Sequence, residues 1–143
     1  MKRIAHLLNN PNAEDLGKFL IRFILAFGML FHGWGKLTGG ANKIAGMLEG
    51  MSIPSFIGYG VVVGEFVALL LIIVGFKSRL AGLIMSFTML VALLLVHTGD
   101  IFSVSDRGVW AIELLAIYLV GGIAIAFLGS GKYSISKGEG DWD

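Results

Sequence analysis

The sequence predicts an all-α fold, a polytopic membrane four-helix bundle with four transmembrane helices and both termini on the cytoplasmic side. Three observations carry this prediction. Of 143 residues, 56% are hydrophobic and 15% charged, against about 25% charged in a soluble domain, and mean hydropathy is +0.83. Four apolar stretches approach the roughly 20 residues that a helix needs to cross the hydrocarbon core. Lysine and arginine gather on alternate connections between those stretches, and such an excess marks the cytoplasmic side.

The same composition narrows the function classes. The apolar runs leave room for one membrane domain over residues 1–143 and little chain for a separate soluble one. A net charge of +1 gives no support to nucleic-acid binding, so the expected partner is the lipid bilayer. Cysteine is absent, which excludes disulfides, thiolate catalysis and Cys-ligated iron–sulfur clusters within this chain.

Taken in order, residues 1–15 are too polar after Leu8 for a secretory signal and read as a short surface segment. Asn12, with Glu14 and Asp15 behind it, suits the start of a helix, because an Asn cap and first-turn carboxylates complement the free N–H groups there. The first span covers residues 16–37. Residues 38–55 open on Gly39-Gly40 and close on Pro54, so they read as a connection. Within it Ile44, Met47, Leu48 and Met51 recur at helical spacing, which predicts a short amphipathic helix. The second span, 56–76, is apolar except for Glu65. Lys77-Ser78-Arg79 ends it, and the third span, 80–97, carries no acid, Lys or Arg. A polar loop leads to the fourth span, 109–128, interrupted by Glu113. The Gly-rich polar tail, 129–143, is expected to be exposed and frayed.

Orientation follows from the flanking cations. One side collects Lys2, Arg3, Lys18, Lys77, Arg79, Lys132 and Lys137, while the other collects Lys36, Lys43 and Arg107. The richer side is cytoplasmic, and Trp34 and Trp110 then share the outer interface, a level that amphipathic rings prefer. Small residues four apart, Gly60/Gly64, Gly82/Ser86 and Gly122/Ala126, permit close helix contact.

Ionisable side chains in such helices are costly, about 3 kcal/mol each on insertion scales, and mark functional sites by default. By topology His32, Lys36, His97 and Glu113 share a level near the outer ends of their helices. Glu65 lies about nine residues into its span, ~14 Å deep. Arg22 stands apart in the cytoplasmic half of the first helix. One reading is an outward-facing polar pocket for a small ligand or a proton path, with His32, Lys36, Glu65, His97, Glu113 and Arg22 as binding or proton-handling candidates. The other is internal neutralisation, in which Lys36 or His32 pairs Glu113 and Arg22 snorkels to headgroups. His32 and His97 offer two imidazoles for a haem or metal, but no third membrane histidine accompanies them, so no metal site is expected. Glu65 would stay neutral if unpaired and ionised if paired with a cation. Arg79 reads as an orientation charge.

The segments RFILAFGMLFHGWGKL, SIPSFIGYGVVVGEFVALLLIIVGFKSRLAGLI, LVHTGD and AIELLAIYLVGGIAIAFLGSGKYSIS occur in that order. Through them, and through the combination of Arg22, His32, Gly33, Lys36, Gly64, Glu65, Arg79, His97 and Glu113, the chain resembles the DoxX family of small four-helix membrane proteins. The resemblance implies a multi-pass protein of the bacterial cytoplasmic (inner) membrane, linked to redox systems. The family's name comes from a small subunit associated with a terminal quinol oxidase and thiosulfate:quinone oxidoreductase. The function it implies is a quinone-linked accessory subunit of a membrane oxidoreductase. Its cofactor would be a quinone, and its partners other redox subunits or copies of itself. A transporter with Glu65 as the proton-coupling site and a non-catalytic assembly partner remain as alternatives. No catalytic set carries over from the family to residues of this chain.

Overall fold

The structure is a computed structural model that describes residues 10–143. Among these residues five α-helices follow one another: α1 (Pro11–Gly35), α2 (Ala41–Gly50), α3 (Ser55–Val74), α4 (Ser78–Val96) and α5 (Glu113–Leu128). Of the expected surface segment over residues 1–15, residues 1–9 lie outside the described residues and residues 11–15 belong to α1. No strand forms among the described residues beyond an isolated bridge between Val104 and Trp110.

Helix α1 begins earlier than expected, and its cap is Asn10, not Asn12. The Asn10 side chain accepts from the Asn12 N–H at 2.6 Å, and Pro11 fills the first helical position, where its missing N–H costs nothing. The predicted break at Gly39-Gly40 is also corrected. Residues Lys36–Gly40 form one π-helical turn, so the chain stays helical from Pro11 to Gly50. In lipid an open connection would strand main-chain polar groups, whereas a wide turn keeps them bonded. Helix α2 is the predicted short helix, but its buried face is Ala45 and Leu48, while Met47 and Met51 are exposed. Gly58 of α3 sits beneath it, where a Cβ would come within 3.1 Å of the Ala45 main chain.

Among the described residues three helical segments are long and apolar enough to cross a membrane: Pro11–Gly50, Ser55–Val74 and Ser78–Val96. Helix α5 starts at Glu113, not 109, because Ser103 to Ala111 turn back on themselves through Ala111 N–H to Ser103 O and Ser105 N–H to Val109 O bonds. Its 16 residues span ~24 Å at helical rise. The core joins Ala26 and Met29 of α1, Leu69 and Ile72 of α3, Met85 of α4 and Ile125 of α5. The most extensive contact is α4 against α5. There Gly82 and Gly122 meet so closely that a Cβ on Gly82 would lie 2.6 Å from the Gly122 carbonyl, and Ser86 donates to Leu119 O at 2.7 Å. The small-residue expectation therefore succeeds for Gly82/Ser86 and Gly122/Ala126. It fails for Gly60/Gly64, where a Cβ would meet nothing within 4 Å among the described residues.

The tail is folded, contrary to expectation. It closes the end of the bundle where α3 and α5 finish and α4 starts. Ile135 and Ser136 N–H groups bond the Val74 and Gly75 carbonyls at 3.0 and 3.2 Å. Asp143 reaches the first turn of α4, its Oδ1 accepting from the Ser78 N–H at 3.0 Å. Helix ends leave four donors or four acceptors free, and here the tail supplies partners for some of them.

Candidate functional site

Arg22 does not snorkel. Its side chain is 1% exposed, and its guanidinium donates to Ile72 O at 2.5 Å, Ile73 O at 3.4 Å and Tyr133 O at 2.8 Å. These are carbonyls at the end of α3 and in the tail, so Arg22 acts as a tertiary C-cap. Gly75, at φ +72°, makes the exit turn and leaves room for Arg22 Nη1, which a Cβ there would approach to 2.7 Å. Arg79 repeats the arrangement on α5, donating to Ala126 O and Phe127 O at 2.8 Å and to the main-chain oxygen of Asp143 at 3.0 Å. Both arginines hold the tail end together, and neither lies near the other candidates.

At the opposite end, Met29, His32 and Lys36 of α1, Met89 and Ala92 of α4, His97, and Leu114, Leu115 and Tyr118 of α5 line a cavity of about 290 Å³. Three sequence candidates, His32, Lys36 and His97, thus converge as expected. Glu113 does not join them. It is exposed and faces a separate apolar groove with Leu25, Trp110 and Val120, so the expected pairing of Lys36 or His32 with Glu113 is not formed.

Lys36 pairs instead with Glu65, its Nζ lying 2.9 Å from both carboxylate oxygens. The Glu65 side chain is 3% exposed and that of Lys36 31%. Helical side chains slant toward their own N-terminus, and α1 and α3 run antiparallel. Lys36 therefore leans inward from the cavity level while Glu65 leans outward from mid-helix, and the two close the gap in depth. Glu65 is thus buried with a cationic partner.

The remaining polar groups divide by partner. His97 Nδ1 lies 2.9 Å from Asp100 Oδ2, a contact within its own turn. His32 and Tyr118 stack edge-on with ring centroids 6.1 Å apart, and neither has a hydrogen-bond partner among the described residues. Gly28 makes room for the phenol, since a Cβ there would sit 3.0 Å from the Tyr118 hydroxyl. Sequence reasoning missed Tyr118. The available signal was a phenol on an apolar helix, because buried tyrosine hydroxyls normally find a partner. Among the described residues no three His, Asp or Glu side chains converge on one point as a metal site needs.

The family model described as DoxX matches residues 17–98. The inner membrane protein YqjF of Escherichia coli (strain K12) is 32% identical over 127 residues, covering 87% of this chain and 92% of that protein. No solved structure matches the chain. With more than half its length inside the family model and a relative aligned along most of both chains, the protein belongs to the DoxX family and is an integral protein of the inner membrane.

Proposed function

We propose that the protein is a redox-associated membrane subunit whose cavity between α1, α4 and α5 binds the headgroup of a quinone or a similarly small planar ligand. In this reading α5 is a fourth span and both termini face the cytoplasm. Other subunits of a redox complex, or further copies of the chain, supply the electron partner. The observation that carries the reading is one cavity with two unpartnered polar side chains, His32 and Tyr118, on an otherwise mostly apolar lining. A quinone ring has an apolar face and two carbonyl acceptors, which a phenol and an imidazole can meet as donors. Lys36 and His97 complete the polar rim, with Glu65 holding the Lys36 ammonium in place.

The test is direct. The protein purified in mild detergent is extracted and chromatographed for quinones, and a short-chain quinone is titrated against tryptophan fluorescence. Saturable binding is expected, weakened about fivefold in Tyr118→Phe by loss of roughly 1 kcal/mol of hydrogen bonding. Met89→Trp, which fills the cavity and leaves its polar side chains unsubstituted, should abolish it. Absence of both co-purified quinone and saturable binding would overturn the reading.

The part-buried Lys36–Glu65 pair favours a second reading, a proton-coupled carrier in which Glu65 is the coupling group. Ligand-dependent proton flux in proteoliposomes, lost in Glu65→Gln, would support it over the first.

A further inference from the structure

A second cavity lies at the tail end, and it is unlike the first. It holds about 250 Å³ and is lined mainly by polar atoms, among them Lys18 of α1, Arg79 of α4, and Lys132 and Lys137 of the tail, with Asp15 and Asp143. The acids are already engaged. Asp143 Oδ1 takes the Ser78 N–H, and Asp15 Oδ1 takes the Lys132 N–H at 3.2 Å. Lys18 pairs with Glu14 at 3.0 Å. Lys132 and Lys137 have no carboxylate within 4.0 Å among the described residues, and the Lys132 ammonium meets a neutral amide, Asn12 Oδ1, at 3.3 Å. The cavity therefore carries more positive charge than its own side chains neutralise.

The backbone around it points the same way. The tail curls about the cavity through left-handed turns at Gly129, Gly131 and Gly138, with φ of +72°, +70° and +78°, where glycine is at ease. Lys137 adopts φ +56° in the same curl without being a glycine. A bulky residue held in that region is strained, and such strain collects at ligand-holding positions. Glycine would relieve it and remove a cation.

We propose that this cavity binds a net-anionic phosphate group, with Lys132 and Lys137 as its principal charge partners and Arg79 fixing its wall. Its position at the helix ends puts it at the depth where lipid phosphates lie, so an anionic phospholipid headgroup and a free phosphate are its two sources. Bound phosphate would bridge α1, α4 and the tail, and so tighten the clasp that Arg22 and Arg79 form.

The test uses the full chain in detergent, with melting temperature read against added phosphatidylglycerol, phosphatidylcholine or inorganic phosphate at matched ionic strength. Phosphatidylglycerol should raise the melting temperature and phosphatidylcholine should not. Lys132→Gln combined with Lys137→Gln should leave the lipid-free melting temperature near wild type while the half-saturating phosphatidylglycerol concentration rises about tenfold, two charge-assisted contacts being lost. Lys137→Gly should melt higher than wild type without lipid yet bind phosphatidylglycerol more weakly, a pairing that a merely structural lysine would not give. If inorganic phosphate also stabilises wild type and not the double variant, the free ion is a sufficient ligand; if it has no effect, the lipid is the source. Equal stabilisation by the two lipids, or an undiminished phosphatidylglycerol effect in the double variant, would overturn the proposal.

Discussion

The two ends of the bundle satisfy a cation of α1 by different means. At the tail end Arg22 meets three main-chain carbonyls and no carboxylate within 4.0 Å among the described residues, leaving its Nε without a partner there. Toward the cavity Lys36 meets a carboxylate, Glu65, with two bonds at 2.9 Å. The difference follows from what each depth offers. A helix C-terminus carries unpaired carbonyls and the negative end of the dipole, so a forked guanidinium finds several acceptors already in place. A mid-helix position has no free carbonyl, and a cation leaning there needs a side-chain acid.

The comparison predicts that the arginine clasp is the costlier to break. Arg22→Ala should destabilise the protein by about 3–5 kcal/mol, since it empties a packed site and strands acceptors bonded to a charged donor. Reversible unfolding in micelles measures this, and Arg22→Lys should recover only part, because a single ammonium cannot span the ends of α3 and the tail. A variant as stable as wild type would dissolve the distinction between the two ends.

Glu65→Gln should cost less, about 1–3 kcal/mol, because the stranded ammonium of Lys36 can turn into the cavity it already lines. The sharper form is a double-mutant cycle. Lys36→Met with Glu65→Met should lie closer to wild type than either single variant, apolar replacement of a buried pair being near neutral. If the double variant is as unstable as the sum of the singles, the pair is not a coupled unit.

Gly75→Ala probes the clasp from the backbone side. A left-handed alanine costs about 1–2 kcal/mol, and its methyl would crowd Arg22 and Ser134. Its effect should shrink only in part in the Arg22→Ala background, where one crowding partner is gone and Ser134 remains. The smallest effect belongs to Glu113→Gln, expected within about 0.5 kcal/mol of wild type in stability and unchanged in cavity-ligand affinity. A large loss of binding in that variant would return Glu113 to the cavity and weaken the geometry given above.

Much of this was legible in the residues. The apolar runs and their ends, at Gly75, at Ser78 and at Leu128, emerge within a few residues because bilayer depth and hydropathy act locally. His32, Lys36 and His97 were placed at one level by counting residues along helices, and they do line one cavity. Tyr118 escaped because a phenol costs little in an apolar helix and raises no alarm of charge. The tail escaped for a different reason. Glycine, serine and lysine carry no periodic signal, and the groups that order this segment lie far away in the chain, Tyr133 O on Arg22 and Asp143 Oδ1 on Ser78.

By itself, the sequence determined the solvent this protein lives in, the helices it forms, and which side chains would need a partner in the membrane, because those follow from composition and the rise of a helix. Which partner each one took was decided by the tertiary structure alone. Glu65 rather than Glu113 neutralises Lys36, and carbonyls rather than headgroups receive Arg22. Those choices depend on the rotation and axial offset of packed helices, and on the opposed slant of side chains on antiparallel neighbours, none of which is a property of a residue or its spacing.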